Sequence, residues 1–172
     1  WKESLDAYLS GADNVSKRLM LKVSVYRNGE EVFFSRGLNE AVICSSGIAK
    51  VINLGLSMDK TFAGNFRCDG MIVATPTGST GYSLASGGPI LDAEMRALII
   101  TPICPFTLSN RPVVTGEKEI VLEVLEHQRT DIVLTVDGQI YYELKANDKI
   151  IVEMSSKRLR LIHSTKRNFT EV

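Results

Sequence analysis

At 172 residues the chain is long enough for one domain with a sizeable core. Its 20 basic and 20 acidic residues cancel, so no charge excess points to a nucleic acid or to an anionic membrane surface. No apolar stretch approaches the length of a membrane span and no signal peptide is visible, so a cytoplasmic setting is expected.

The first residue is Trp1 and not a methionine, as expected of a piece of a longer chain. Residues Trp1, Leu5 and Leu9, with Tyr8 beside them, make one helical stripe that Gly11 stops. From Leu19 the pattern changes to short strands. Leu19 to Tyr26 is one, Asn28-Gly29 is a hairpin signal, and Val32-Phe33-Phe34 answers it. Leu38 to Ile43 follows. Its Asn39 and Glu40 are either an exposed strand start or an amide and a carboxylate suited to sugar hydroxyls.

Ile48 to Met58 reads as a strand, Asp59-Lys60 as a turn, and Thr61 to Cys68 as the returning strand with Phe62 and Phe66 on one face. Cys44, Cys68 and Cys104 are odd in number and widely spaced. They form no zinc pattern and no disulfide framework, and read as small buried thiols in a reducing compartment.

Residues 69 to 90 are the most informative stretch. Asp69-Gly70 is a turn signal, and Met71 to Ala74 reads as a buried strand that Thr75-Pro76-Thr77-Gly78 breaks. Ser79 or Thr80 can cap a short helix through Tyr82, Leu84 and Ala85, which Gly87-Gly88-Pro89 ends. Such a segment is either a Gly-rich connection between buried elements or a ligand cradle. In a cradle, open backbone N–H groups, Gly78, Gly81 and the Tyr82 ring would meet a polar heterocycle or an anion. Neither Gly-x-x-x-x-Gly-Lys nor Gly-x-Gly-x-x-Gly is present.

Beyond it, Asp92 can cap a helical turn through Glu94, Met95 and Leu98, and three prolines, Pro102, Pro105 and Pro112, imply a rigid extended connection. The rest is a strand array: Ile120 to Leu125, Ile132 to Val136, Ile140 to Leu144, Lys149 to Glu153 and Leu159 to His163. Turns fall at Arg129-Thr130, Asp137-Gly138, Asn147-Asp148 and Ser155-Ser156. Asp137-Gly138 is most simply a hairpin turn, and His127 and His163 are isolated. The expected fold is mainly β, two packed sheets in a sandwich with a few short helices, all in one domain.

Three blocks resemble the NAD kinase family: Leu38 to Ile43, the long run from Asp69 to Leu84, and Gly87-Gly88-Pro89-Ile90. Thr101 to Pro105, Arg111-Pro112 and Asp137-Gly138-Gln139 follow in that family's order, and the likeness covers roughly residues 19 to 169. Gly81 departs from it, since many members carry alanine there. The family's Gly-Gly-Asp-Gly-Thr motif is absent from these residues. The resemblance therefore implies the C-terminal, NAD-binding domain, with the α/β domain that completes the active site outside these residues.

What the family implies is specific. Asn39 and Glu40 would hold ribose hydroxyls or a phosphate of NAD, and Asp69 a ribose or base amine. Thr77, Thr80 and the Gly81 backbone would read the adenine edge, with Tyr82 lining the pocket. The reaction implied is phosphoryl transfer from ATP or polyphosphate to the adenosine 2′-hydroxyl, with Mg²⁺ held mainly by the nucleotide. No catalytic base is expected in this chain, so these residues alone are expected not to phosphorylate NAD. A homodimer or homotetramer is implied. The competing readings are a non-catalytic dinucleotide-sensing β domain and a related lipid kinase domain.

Overall fold

The computed structural model describes residues 2–11, 15–47, 51–107 and 110–162. Among these residues, twelve strands form two antiparallel six-stranded sheets. The first sheet runs β2 (Glu30–Gly37), β1 (Val15–Arg27), β12 (Lys149–Ile162), β9 (Ile120–Val124), β4 (Ile52–Met58), β5 (Thr61–Cys68). The second runs β11 (Ile140–Leu144), β10 (Ile132–Val136), β3 (Glu40–Ser45), β6 (Gly70–Ala74), β7 (Leu98–Ile103), β8 (Val113–Thr115). The mainly β, two-sheet expectation holds.

Side chains alternate across each strand, and one set of every strand faces the space between the sheets. Leu21, Val23, Leu54, Leu122 and Val152 enter it from the first sheet. Ala41, Ile43, Met71, Val73, Leu98 and Leu134 enter from the second. The alternate residues of the second sheet, Val42, Ile72, Ala74 and Ile99, point outward and form a smaller cluster with Leu91 and Ala97. Strands buried on both faces explain why Met71 to Ala74 reads as an unbroken apolar run.

Hairpins fall where their turn chemistry predicts. Asn28 and Gly29 both have positive φ, 53° and 86°, as do Asp137 and Gly138 at 52° and 63°. Asp59 and Lys60 close β4–β5 the same way, and the Asp59 carboxylate accepts the Glu119 N–H at 3.0 Å. The helix α1 (Lys2–Leu9) precedes a left-handed Gly11, φ 84°, as the stripe suggested.

Several expectations fail for identifiable reasons. Ser155-Ser156 is no turn: β12 is one strand of 14 residues, bulged opposite Leu19 to Leu21, and the Ser155 hydroxyl accepts the Lys157 N–H inside the bulge. Phe62 and Phe66 do not share a face. A register shift beside Gly64 sends Phe66 toward the core while Phe62 stays exposed. Asp92 does cap a turn, accepting the Glu94 N–H at 2.8 Å, but Leu98 already begins β7. Pro102 lies inside β7, beyond the last residue that β8 pairs, where a missing N–H is tolerated. The start of the expected strand at Ile48 and His163 lie outside the described residues.

Two corners of this topology matter for function. The chain leaves the first sheet for the second through Leu38-Asn39, between β2 and β3. It does so again through Asp69 alone, between β5 and β6. Because β3 and β6 are antiparallel neighbours, with Glu40 opposite Ala74 and Cys44 opposite Gly70, these corners sit at opposite ends of one ladder.

Candidate functional site

The sequence places Asn39 and Glu40 at one of these corners and Asp69 at the other. The segment after β6 joins them. Thr75 to Gly81 turns back at the Glu40 end, through one turn of 3₁₀ helix (Thr77–Thr80), and α2 (Tyr82–Ala85) follows. Serine and threonine hydroxyls pin this segment. The Ser79 hydroxyl donates to the Pro76 carbonyl at 2.6 Å and accepts the Leu91 N–H at 3.1 Å. Ser83 and Thr101 join their buried hydroxyls at 3.0 Å, which fastens α2 to β7. Neither Ser79 nor Thr80 caps α2 through its side chain, contrary to expectation, because Ser79 is occupied by these other partners.

The segment grips the Leu38–Glu40 corner closely. The Thr75 hydroxyl donates to the Leu38 carbonyl at 2.6 Å and its N–H to the Asn39 carbonyl at 2.8 Å. Gly78 lies flat against the same peptide, and a Cβ there would fall 2.2 Å from the Asn39 carbonyl oxygen. From the other side the Asp137 carboxylate accepts three backbone N–H groups, those of Leu38, Asn39 and Glu40, at 2.6, 2.8 and 3.0 Å. Asp137 is therefore a turn residue, as its sequence suggests, and also part of the corner, which the turn motif alone does not reveal.

Glu40 starts β3 with its side chain on the outward side. Its Oε2 lies 3.3 Å from where a Cβ on Gly81 would stand, so the glycine leaves room for the carboxylate. The Gly81 N–H, expected to face a ligand, donates instead to the Gly78 carbonyl at 2.9 Å. Two buried oxygens in this neighbourhood have no partner, Glu40 Oε2 and Thr77 Oγ1. A buried polar atom left unmatched costs about 1–3 kcal/mol. Burial, followed by the nearby Asp137 charge, pushes the Glu40 carboxyl above its usual range.

That shift has a signed consequence for stability. A carboxyl raised in the folded state stabilises the fold fully below its unfolded value and loses that contribution as pH rises through the folded value. Glu40→Gln is therefore expected to raise Tm at pH 8 and to leave it unchanged near pH 4. A variant equally or less stable at pH 8 would contradict this origin of the shift.

At the Asp69 corner lies a cavity of about 380 Å³ lined by Cys44, Ser45, Asp69, Tyr82, Ile103 and Cys104, with Gly47. Gly70, which follows Asp69, is closely packed: a Cβ there would fall 2.7 Å from the Ile43 carbonyl oxygen and 2.9 Å from Ile103 Cδ1. Burial, then Cys44, Cys104 and Asp69, hold the Tyr82 phenol above its usual range. Cys68 is buried beneath and its thiol is pushed up to about 12 by burial. Cys104, by contrast, is exposed and Cys44 is half-buried, so the expectation of three buried thiols holds only at Cys68. Glu40 and Cys44 are four residues apart on β3, so the two corners are roughly 13 Å apart along that strand.

The structure thus joins Asn39 and Glu40 to Thr77, Gly78 and Gly81 at one end, and Asp69 to Tyr82 at the other. Tyr82 follows Gly81 directly and links the two. Thr80 is exposed beside Gly81, its hydroxyl 3.5 Å from the Thr77 carbonyl. Among the described residues no three His, Cys, Asp or Glu side chains gather as a metal site. No described helix is long and apolar enough to cross a membrane.

The sequence matches the ATP-NAD kinase C-terminal domain over residues 38–164. NAD kinases of Geobacter sulfurreducens and Treponema denticola are 43% and 42% identical across 98% of this chain. The chain spans 59% and 60% of those two proteins. An NAD kinase from Archaeoglobus fulgidus, solved in complex with ATP, superposes with a TM-score of 0.77 at 27% identity, over 96% of this chain and 61% of that one. Yeast NADH kinase, complexed with NADH, shares the fold at a TM-score of 0.90 and 24% identity, over 98% of this chain and 52% of that one. With the family match covering most of its length, on the two-sheet fold of these kinases, the chain belongs to the ATP-NAD kinase C-terminal domain family.

Proposed function

We propose that this chain is the dinucleotide-binding part of an NAD kinase. The whole protein would transfer a phosphoryl group from ATP, or polyphosphate, to the 2′-hydroxyl of the adenosine ribose of NAD. The observation that carries this reading is the pair of unpartnered buried oxygens, Glu40 Oε2, which lies against Gly81, and Thr77 Oγ1, in the same segment. Both are suited to a ligand that offers hydroxyls and a polar ring edge.

In this reading Asn39 and Glu40 hold ribose hydroxyls or a phosphate. Thr77 and Thr80 address the adenine edge, and Gly81 contributes space rather than a donor. Asp69 and Tyr82 take a ribose or base amine and a ring face at the other end. Mg²⁺ would be held mainly by the phosphates of the nucleotide, where it offsets their charge. The carboxylate that takes the 2′-hydroxyl proton would come from an α/β domain outside these residues, and the protein would act in the cytoplasm as a homodimer or homotetramer.

The test is a thermal-shift panel on the full-length protein with NAD, NADP, ATP and a diacylglycerol analogue, beside an NADP-formation assay. NAD at a hundred times its dissociation constant should add about 2.7 kcal/mol of stability. Tyr82→Ala should lose most of that protection. Protection by the diacylglycerol analogue alone would assign a lipid kinase instead. Protection by NAD without NADP formation would assign a sensing domain.

A further inference from the structure

We infer that Asp137 is a positioning residue for ligand binding, holding Asn39 and Glu40 in place through their backbone. This rests on the dinucleotide-binding reading above.

The geometry is unusually complete for a turn residue. Asp137 Oδ2 accepts the Leu38 N–H, and Oδ1 accepts those of Asn39 and Glu40. The Asp137 N–H returns the contact, donating to the Glu40 carbonyl at 2.9 Å. On the opposite side Thr75 takes the Leu38 and Asn39 carbonyls. The N–H and carbonyl groups of all three residues are therefore engaged, and only the side chains of Asn39 and Glu40 are left for a ligand. Gly37 belongs to the same arrangement, since a Cβ there would lie 2.8 Å from Val136 Cγ1 and 3.1 Å from Asp137 Oδ1.

A second turn in the molecule shows what an ordinary hairpin aspartate does. Asp59 also has positive φ, 47°, and its carboxylate accepts one backbone N–H, that of Glu119. It holds a single backbone group 60 positions along the chain and touches no site residue. Asp137 instead holds three consecutive backbone groups, all of them at the corner that carries Asn39 and Glu40. Its charge also acts on Glu40, and residues 75–86, packed on the other side, carry no charged side chain, Tyr82 being the only titratable one.

The experiment compares Asp137→Asn with Asp59→Asn in the full-length protein, with NAD binding measured by calorimetry from pH 5 to pH 9. An amide has one acceptor and one donor group, so in either orientation an NH₂ faces a backbone N–H of the corner. NAD affinity should fall at least about tenfold in Asp137→Asn and stay within about twofold in Asp59→Asn. The pH midpoint of NAD binding should also move lower in Asp137→Asn, because Glu40 loses a neighbouring negative charge. A structural role alone would not move that midpoint. If Asp137→Asn does not fold, Asp137→Ser, which keeps an acceptor and no charge, carries both readouts. Wild-type affinity with an unmoved midpoint, or equal losses in the Asp137 and Asp59 variants, would overturn the inference. Wild-type protein that fails to bind NAD would overturn the dinucleotide reading itself, and the inference with it.

Discussion

Gly78→Ala is expected to destabilise the fold by about 3 kcal/mol and to abolish measurable NAD binding. Its new methyl would meet the Asn39 carbonyl oxygen at 2.2 Å, its carbon at 2.5 Å and Cα at 2.8 Å. All three are backbone atoms, so no side-chain rotation relieves the contact. The corner cannot retreat without breaking the Thr75 bonds to Leu38 and Asn39 on one side and pressing into Asp137 on the other. Stability and binding should therefore fall together, unlike Glu40→Gln, where stability is expected to rise at pH 8. Urea unfolding and NAD calorimetry check both. A variant with wild-type stability would mean that the segment after β6 moves away freely.

Asp148→Ala is the second large effect, and it lies far from the site. Asp148 is fully buried and receives two bonds from the Arg27 guanidinium, Nε to Oδ1 at 2.8 Å and Nη2 to Oδ2 at 2.7 Å. The Lys145 N–H donates to the same carboxylate at 2.8 Å. Removing one partner of a buried pair costs about 3–5 kcal/mol, because the other charge stays behind. The Arg27 side chain retains 25% exposure and can reach water, so a loss near the lower end, about 3 kcal/mol, is expected. NAD affinity should be unchanged at temperatures where the variant is folded. A loss below about 1 kcal/mol in urea unfolding would show that solvent screens this pair as it does a surface bridge.

Periodicity and turn chemistry made most of the architecture legible. Met71 to Ala74 and Ile132 to Val136 stand where their patterns put them, because buried strands leave a dense apolar signal, whereas Ile140 to Leu144, a largely exposed edge strand, is marked by the Asp137-Gly138 turn before it. Serine pairs carry no such certainty. Ser155-Ser156 reads as a break, yet its hydroxyl chemistry serves a bulge as well as a turn, and only the pairing of β12 with β1 decides. Phe62 and Phe66 were separated by a register shift that no alternation pattern announces. At the site, Asn39, Glu40 and Tyr82 were legible from motif likeness. The grip of Asp137 on Leu38 to Glu40 was not, since it joins residues about a hundred positions apart. Gly81 shows the reverse case. Its sequence suggests an open donor, but a tight local turn closes that donor on Gly78.

The pairing of β1 with β12 has a consequence for how the protein comes into being. These strands sit side by side within the first sheet, with Lys22 and Glu153 in contact across 131 positions of chain. During synthesis β1 emerges early and must wait for β12, leaving its Leu19, Leu21, Val23 and Val25 without their partners. Loop closure over such a separation is slow, and an uncovered apolar strand invites association with other chains. Completion of the first sheet therefore has to await β12, near the other end of the described sequence. Shortening β12 should do more than weaken the native state. It should strand nascent molecules in an aggregation-prone form, visible as lost soluble yield before any loss of stability in the protein that survives.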